Sequence, residues 1–323
     1  MELIRGLYNL RPRHHGCIVT IGNFDGVHLG HQAVLGQLSE KAAALGLPSV
    51  VITFEPHPQE FFAAQDVPPR LTRFREKMQA LRRYAADRVL CLNFNQELAS
   101  MPAHEFIQKV LVDGLGVRYL VVGDDFRFGH KRQGDLKMLK VAGDREGFHV
   151  INMHTFNVDG ARVSSTRIRA ALAAGDLGMA EKLLGRSYRM SGRVVHGDQR
   201  GRTIGYPTAN IYLHRRVTPL LGVYAVDVFG LDKEPLKGVA NIGIRPTVNG
   251  RTCLLEVHVF DFADDIYGRH VQVEFLAKLR DEKRFESIAA LKQQIQKDEQ
   301  TARGFFESQP VSRRSVAGKY MGV

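Results

Sequence analysis

The stretch VTIGNFDGVHLGHQAVL, from Val19 to Leu35, joins an apolar strand-like run to a helical pattern. The turn contains three glycines spaced four apart, an aspartate and two histidines three apart, and the helical pattern begins without Lys or Arg. A helix N-terminus offers free backbone N–H groups to anions, and glycines let a phosphate approach the backbone closely. The stretch therefore indicates a phosphate-binding turn with imidazole donors, although two histidines at this spacing in isolation would more often cap and pack a helix.

The first half of the chain repeats this alternation of apolar runs and helical patterns. We expect strands at CIVTIG, SVVITF, RVLCLNF, RYLVVG and FHVINM, and helices near 30–45, 72–85, 102–114, 134–146, 165–174 and 177–184. Strands that alternate with helices predict a mainly parallel, doubly wound α/β sheet. Such sheets bind ligands beyond the carboxyl ends of their strands, which is where the histidine turn lies.

After Gly185 the pattern changes to short β-like runs separated by Gly, Pro, Asp and Asn, and one long amphipathic helix follows from about Phe285. Closely spaced short strands predict a small antiparallel β-barrel. A length of 323 residues also favours two domains over one. We therefore expect one domain at 1–185 and a second at 186–323.

The composition, with 44% hydrophobic and 24% charged residues, is that of an ordinary globular protein. No apolar run approaches the roughly 18 residues of a membrane span, and the N-terminus lacks the pattern of a signal peptide, so we expect a cytoplasmic protein without membrane contact. The three cysteines, Cys17, Cys91 and Cys253, are far apart. We interpret them as small buried hydrophobes in a reducing compartment.

The formal net charge of +11 favours anionic partners. The basic residues occur as scattered pairs, whereas nucleic-acid binders concentrate them in stripes with interleaved aromatics, so the charge favours small anionic substrates over nucleic acid. The chain contains neither GxxxxGK[ST] nor a GxGxxG after a strand. Phosphate must therefore be held in a different way from a P-loop or a dinucleotide fingerprint.

Several motifs together resemble those of a known family. GNFDGVHLGHQ resembles the HxGH signature of nucleotidyltransferases in the extended form found in bacterial FAD synthetases, and FEPHP, GDDFRFG and VSSTRIR follow in that family's order. GRTIGYPTANI is similar to a riboflavin kinase motif, with Ile204 in place of the usual Leu, and LEVHVFDFADDIYG to the glutamate segment of those kinases. The resemblance implies a Rossmann-like nucleotidyltransferase domain followed by a riboflavin kinase-like barrel with a closing helix. This is the organisation of prokaryotic bifunctional riboflavin kinases/FMN adenylyltransferases.

The resemblance implies a first site for adenylyl transfer. His28 and His31 would contact the ATP phosphates, and Arg169 would act with a Ser/Thr cluster to clamp the triphosphate from the other side. Prolines and phenylalanines would line a slot for the isoalloxazine ring, and Asp125 would touch the flavin or its phosphate region. The residues implied to bind substrate at this site are Gly22, Phe24, Asp25, Gly26, Pro56, Pro58, Phe62, Asp125, Phe128, Ser164, Ser165 and Thr166.

A second site is implied for phosphoryl transfer. Thr208 and Asn210 are two apart, so on a strand both would point the same way and could reach one Mg²⁺. Glu256 would be the general base that accepts the hydroxyl proton. Gly201, Thr203 and Gly205 would form a flexible loop over the nucleotide, and Pro207 would also bind substrate. Without the resemblance, PTAN would be an unremarkable turn into a strand, and Glu256 a strand residue that faces solvent.

We therefore expect an enzyme that phosphorylates riboflavin to FMN and adenylylates FMN to FAD, with ATP as co-substrate and Mg²⁺ as cofactor. Its partners would be these small molecules, and the protein would be a monomer or a weak homo-oligomer. One alternative is a non-catalytic flavin- or RNA-binding protein on a degenerate nucleotidyltransferase fold. Another is a different adenylyl- or cytidylyltransferase, for example one that acts on pantetheine phosphate.

Overall fold

The computed structural model describes residues 1–63, 67–84, 86–153, 155–197, 205–215, 217–247 and 250–309. The chain divides into two compact units, Met1–Ser165 and Thr166–Val323. The expected domain boundary after residue 185 would assign two further helices to the first domain. That boundary stays a prediction.

The first unit is built around a six-stranded sheet. Its strands are β1 (Glu2–Arg5), β2 (Ile18–Ile21), β3 (Ser49–Glu55), β4 (Arg88–Asn93), β5 (Tyr119–Gly123) and β6 (His149–Met153), and a small hairpin adds β7 (Asn157–Val158) and β8 (Ala161–Arg162). The strand order is β1-β4-β3-β2-β5-β6, and every neighbouring pair in it is parallel. This confirms the parallel sheet expected from the sequence.

The helices of this unit cover the sheet. They are α1 (Leu29–Leu45), α2 (Pro58–Phe62), α3 (Phe74–Arg83), α4 (Gln96–Ser100), α5 (Ala103–Phe106), which continues as a π-helix over Ile107–Val112, and α6 (Leu136–Glu146). Short 3₁₀ turns lie at Leu7–Asn9, Pro12–His14 and His130–Arg132.

Strand β2 has a core on each of its faces, as expected for a parallel sheet covered on both sides. All four residues of this strand are buried. Ile18 packs in a cluster with Leu35 and Leu38 of α1, whereas Val19 packs in a second cluster with Phe106. The strand order reverses between β2 and β5, and the crevice at such a reversal is the usual ligand site of a doubly wound sheet. The histidine turn leaves β2 at this point.

The second unit contains a closed antiparallel barrel with the strand order β10-β13-β12-β11-β14-β9. The strands are β9 (Arg189–Val195), β10 (Ala209–Tyr212), β11 (Gly222–Phe229), β12 (Leu236–Thr247), β13 (Gly250–Val259) and β14 (His270–Arg280). The helices are α7 (Ser165–Ala174), whose first residue closes the first unit, α8 (Leu177–Leu184) and α9 (Ile288–Ser308). The expected barrel is therefore confirmed.

The long helix α9 packs against the barrel through an apolar cluster that contains Ala225, Phe260, Ala302 and Phe306. It begins three residues later than the helical pattern indicates, because the Ser287 hydroxyl caps it and accepts the backbone N–H of Ala290. No helix within the described ranges combines the length and the apolar character needed to cross a membrane.

The three cysteines are free and buried, as their interpretation from the sequence requires. Burial raises the pKa of the Cys17 thiol to about 12, which keeps it protonated and unreactive. These thiols therefore act as core residues.

Candidate active sites

Both predicted histidines lie in the turn between β2 and α1. His28 is the N-cap of α1, and its Nδ1 accepts the backbone N–H of His31 at 3.3 Å. The two rings stack with their centroids 3.7 Å apart. Because Nδ1 is an acceptor, neutral His28 carries its proton on Nε2 and can donate it to an oxygen. The turn thus combines an imidazole donor with the positive end of a 17-residue helix.

The backbone of this turn is strained. Phe24, Gly26 and Val27 have φ values of 50°, 86° and 41°, in the left-handed region that a β-branched residue such as Val strongly disfavours. The buried Phe24 ring packs against His31, with centroids 5.0 Å apart. Such backbone geometry persists only when surrounding contacts impose it, and it is common at functional sites.

Those contacts come from the segment that precedes α3. The Asp25 carboxylate is 2% exposed and accepts the backbone N–H groups of Leu71 at 3.0 Å and Thr72 at 2.9 Å. The Thr72 hydroxyl accepts the N–H of Gly26 at 3.0 Å. The predicted ligand-binding residues Asp25 and Gly26 therefore take part in hydrogen bonds within the protein, and these bonds fix the turn.

The VSSTRIR motif begins next to the same turn. The Ser165 hydroxyl donates to the backbone carbonyl of Asp25 at 2.9 Å, so the structure brings two predicted motifs of the first unit together. Ser164 precedes it in the chain. Thr166 and Arg169 lie further along α7, in the second unit.

The FEPHP motif begins in β3, which ends at Glu55, and continues to the first residue of α2. The Glu55–Pro56 peptide is cis, and Pro58 is the first residue of α2. The Phe62 ring at the end of α2 is 67% exposed and lies edge-on to Phe61 and Phe94. An exposed aromatic side chain in an aromatic cluster suits a surface that stacks on a planar ligand.

Two other predicted flavin residues lie in different surroundings. Phe128 is 8% exposed and packs with Phe106 and Phe126 in the core, a different group of rings from that of Phe62. Asp125 is exposed and forms an ion pair with Arg162 at 2.5 Å. The ring contacts therefore place Phe62 and Phe128 in two different groups of aromatic side chains.

A buried polar group beneath the turn was missed by sequence reasoning. Lys77 of α3 is 2% exposed, and its Nζ lies 3.4 Å from the Thr53 hydroxyl. Burial lowers the pKa of Lys77, and it lowers the pKa of the neighbouring His57 to about 4, so His57 is neutral at pH 7. Nothing in the local pattern of α3 distinguishes Lys77 from a surface lysine.

The second predicted site lies on the outward face of the barrel. Asn210 of β10 is directly opposed to Glu256 of β13, which is in turn opposed to Asn241 of β12. The adjacent Ile211 and Leu255 are fully buried, so the three polar residues share the opposite face. Asn210 is itself buried, and its carboxamide packs closely against Gly197. A side chain at position 197 would clash with it, because a Cβ atom added to Gly197 would lie 2.2 Å from Asn210 Nδ2.

The turn before β10 is held by a histidine that the sequence analysis did not single out. The Nδ1 atom of His258 lies 2.9 Å from the carbonyl oxygen of Pro207, and its ring meets Tyr206 edge-on. Thr208 directly precedes β10, which begins at Ala209, so only Asn210 of the pair lies within the strand. That the two residues bind one Mg²⁺ stays a prediction.

The loop predicted to cover the nucleotide is only partly described. Gly205 has a φ of 87°, which favours glycine, and it is exposed. Gly201 and Thr203 lie outside the described residues.

Two family models match the chain. One described as FAD synthetase matches residues 10–167, and one described as riboflavin kinase matches residues 184–306. The first match contains the histidine turn, and the second contains the Asn210–Glu256 pair. The fold and its two sites therefore define a nucleotidyltransferase joined to a flavin kinase.

Curated relatives match almost the whole chain. A bifunctional riboflavin kinase/FMN adenylyltransferase of Escherichia coli (strain K12) is 53% identical over 307 residues, which cover 95% of this chain and 98% of the relative. The protein of the same description from Pseudomonas fluorescens is 54% identical, over 94% of this chain and 97% of its own. The chain belongs to the family of bifunctional riboflavin kinases/FMN adenylyltransferases.

A solved structure has the same fold. It is described as a macrolide-efflux protein from Streptococcus pneumoniae, is 33% identical, covers 94% of this chain and 99% of its own, and superposes with a TM-score of 0.80. Neither family model that matches this chain describes efflux.

Proposed function

We propose that this chain converts riboflavin to FMN and then FMN to FAD, with one ATP consumed in each step. The observation that carries the proposal is that each compact unit holds the polar residues one of the two reactions needs. His28 and His31 lie at a helix N-terminus of the first unit, and Asn210 is opposed to Glu256 in the second. The names of the relatives and both family models support the same pair of reactions.

For adenylyl transfer, the FMN phosphate attacks the α-phosphate of ATP and pyrophosphate leaves. No nucleophile of the enzyme is required, so the residues act by positioning and by stabilising the charge that develops on the leaving phosphates. His28 Nε2–H and the N-terminal amides of α1 are the donors proposed for this task. His31, whose ring stacks on that of His28, is proposed to contact the ATP phosphates as well. Ser164, Ser165, Thr166 and Arg169 are proposed to bind the triphosphate as well.

The flavin of FMN is proposed to stack on the exposed Phe62 ring beside Pro56 and Pro58. Stacking on an exposed ring would bury apolar area on both partners, which favours binding. Asp125 lies on the surface, where it could contact the ribityl-phosphate region of FMN. Phe128 stays a proposed flavin residue, although its ring is buried and packs with Phe106 and Phe126.

For phosphoryl transfer, Glu256 is proposed as the general base. Its carboxylate would accept the proton of the ribityl hydroxyl as this oxygen attacks the γ-phosphate of ATP and ADP leaves. The opposed Asn210 carboxamide would orient the phosphates at the same place on the barrel. His258 would hold the turn at Pro207, and Gly205 would allow the loop before it to approach the nucleotide.

The kinase site suits Mg²⁺. This ion binds through one or two protein oxygens and keeps its other positions for phosphates and water. The Asn210 amide oxygen, beside the Glu256 carboxylate, is a hard oxygen donor of that kind, and the Thr208 hydroxyl is two residues away in the chain. When bound, the ion would neutralise charge on the ATP phosphates.

The other proposed properties follow from composition. Scattered basic residues support small anionic substrates and no nucleic-acid partner, and three buried free thiols support a cytoplasmic location. We also propose a monomer or weak homo-oligomer and a domain boundary near residue 185.

The experiment that tests the function is an incubation of the purified protein with riboflavin and Mg-ATP, followed by chromatography of the flavins over time. We expect FMN to appear first and FAD later. Riboflavin that stays unchanged while it binds would support a flavin-binding protein, and FMN without FAD would leave the first unit without its proposed reaction.

A further inference from the structure

The strained turn that carries His28 depends on one side chain outside all the motifs. The backbone of Gly26 and Val27 has positive φ, and the N-cap of α1 follows directly. Since this backbone positions the residue that carries the imidazole, a contact that stabilises the turn also helps to place the His28 ring. Thr72, which is 46 residues away from Gly26 in the chain, makes such a contact.

Thr72 makes several hydrogen bonds to this turn. Its hydroxyl accepts the N–H of Gly26 at 3.0 Å and lies 3.3 Å from Asp25 Oδ1, to which it donates. Its backbone N–H donates to the same carboxylate oxygen at 2.9 Å. One residue therefore holds both the backbone of the turn and the carboxylate within it.

Thr72 is buried, at 8% exposure, so its hydroxyl is occupied within the protein and cannot act on a substrate in this arrangement. Removal of the hydroxyl would take away the acceptor that it offers to the buried Gly26 N–H, and the loss of a buried hydrogen bond is costly. The turn would then relax toward less strained φ values, and His28 would move with it.

We infer that Thr72 is a positioning residue for adenylyl transfer, acting through Gly26 and Asp25 to hold His28 in the geometry that the reaction needs. The inference rests on the proposed role of His28. A misplacement of about 1 Å at a reacting centre can reduce the rate by roughly a hundredfold, even when substrates still bind. The turnover number should therefore fall more than the Michaelis constants rise.

The test compares Thr72→Val, which keeps the shape but removes the hydroxyl, with Thr72→Ser, which keeps the hydroxyl, in the full-length chain. We expect the Val variant to form FAD from FMN and ATP with a kcat lower by about ten- to a hundredfold, and KM for FMN within about threefold of the wild type. The Ser variant should return kcat to within about threefold of the wild type. Riboflavin phosphorylation, measured on the same samples, should be unchanged in both variants.

Three results would overturn the inference. These are a kcat for FAD formation in the Val variant within about twofold of the wild type, a rise in KM at unchanged kcat, or a Ser variant as slow as the Val variant. If the Val variant loses its cooperative unfolding transition, Thr72→Ala replaces it and the Ser/Ala comparison decides in the same way. A wild-type protein that makes no FAD at all would contradict the proposed function itself, a result distinct from any difference among the Thr72 variants.

Discussion

Asn210 of β10 and Glu256 of β13 are directly opposed in the antiparallel register of the barrel, although they are far apart in the chain. Directly opposed residues of neighbouring strands have Cβ atoms about 5 Å apart and project from the same face. A carboxamide and a carboxylate are thus brought to one place on the outside of the barrel. This pairing places Glu256 beside the buried carboxamide of Asn210.

The first prediction concerns the base. Glu256→Gln keeps the size of the side chain but removes its basicity, so we expect riboflavin phosphorylation to fall by about a hundredfold, the lower part of the range for general-base catalysis. Riboflavin binding, followed by flavin fluorescence, should persist, and added FMN should still be converted to FAD at the normal rate. Glu234→Gln, at an exposed position of the same unit, is the matched control. Retention of most kinase activity would remove Glu256 from the reaction.

The second prediction concerns the histidine turn. His28→Ala removes the Nε2 donor, and we expect FAD formation from FMN to fall by about two orders of magnitude, the scale lost with one transition-state donor. The kinase reaction should be unaffected. His104→Ala, at an exposed position of the first unit, is the control and should leave both rates unchanged. An equal loss of the two activities in His28→Ala would indicate a role in folding.

The third prediction concerns acid stability of the first unit. Burial lowers the pKa of His57 to about 4, so between that value and the unfolded value of 6.5 the unfolded chain binds more protons than the native one. Stability in that window therefore falls as the pH falls, by on the order of 2 kcal/mol at pH 5 for this group. His57→Asn keeps a side-chain acceptor for the N-cap of α2 but does not titrate.

The measurement is hydrogen exchange of β3 peptides at pH 7 and pH 5, corrected for the intrinsic pH dependence of exchange. The wild type should lose more protection on acidification than His57→Asn does. An equal loss in the two proteins would mean that His57 is protonated in the native state or that other groups dominate.

The fourth prediction concerns the barrel. Asp227 of β11 is opposed to Glu274 of β14, and burial together with the Glu274 charge raises the pKa of Asp227 to about 6, against the opposing effects of Lys237 and Arg189. The native state then binds more protons than the unfolded state between pH 3.8 and 6. Stability contributed by the protonated carboxyl is lost as the pH rises through this window.

Asp227→Asn should therefore stabilise the barrel at pH 7, with a rise in Tm of several degrees that disappears near pH 4. Calorimetry of the full chain at both pH values measures it. The exposed Asp264→Asn serves as the control and should shift the transition little at either pH. A lower Tm for Asp227→Asn at pH 7 would show that the native carboxylate makes a favourable ion pair.

Much of the fold could be predicted because the central strands are continuous apolar runs. Strand β2 is buried along its whole length, and its sequence IVTI is a short, β-branched run that is typical of a buried strand. By contrast, β1 is four residues with one buried side chain, and β7 and β8 have two residues each, so none carries a periodic signal. The local pattern does not indicate that β10 begins only after Thr208, because the pairing with β9 and β13 sets where that strand begins.

The sites could be predicted only as far as local motifs extend. His28 and Glu256 belong to motifs that can be read along the chain, whereas Thr72 becomes relevant only when the fold places it on Gly26. Lys77 occurs in a helix whose charged residues look like a solvated face, and its burial results from tertiary packing. Long-range hydrogen bonds of this kind leave no periodic trace in a single sequence.

The most direct test of two independent sites is a chromatographic assay with riboflavin and Mg-ATP on His28→Ala, on Glu256→Gln and on a mixture of both. We expect the first variant to accumulate FMN, the second to leave riboflavin unchanged, and the mixture to produce FAD, because FMN released by one protein is a substrate for the other. A mixture that forms no FAD although each variant keeps its other activity would show that FMN must pass within one chain. A single variant that loses both reactions would contradict the assignment of one reaction to each unit.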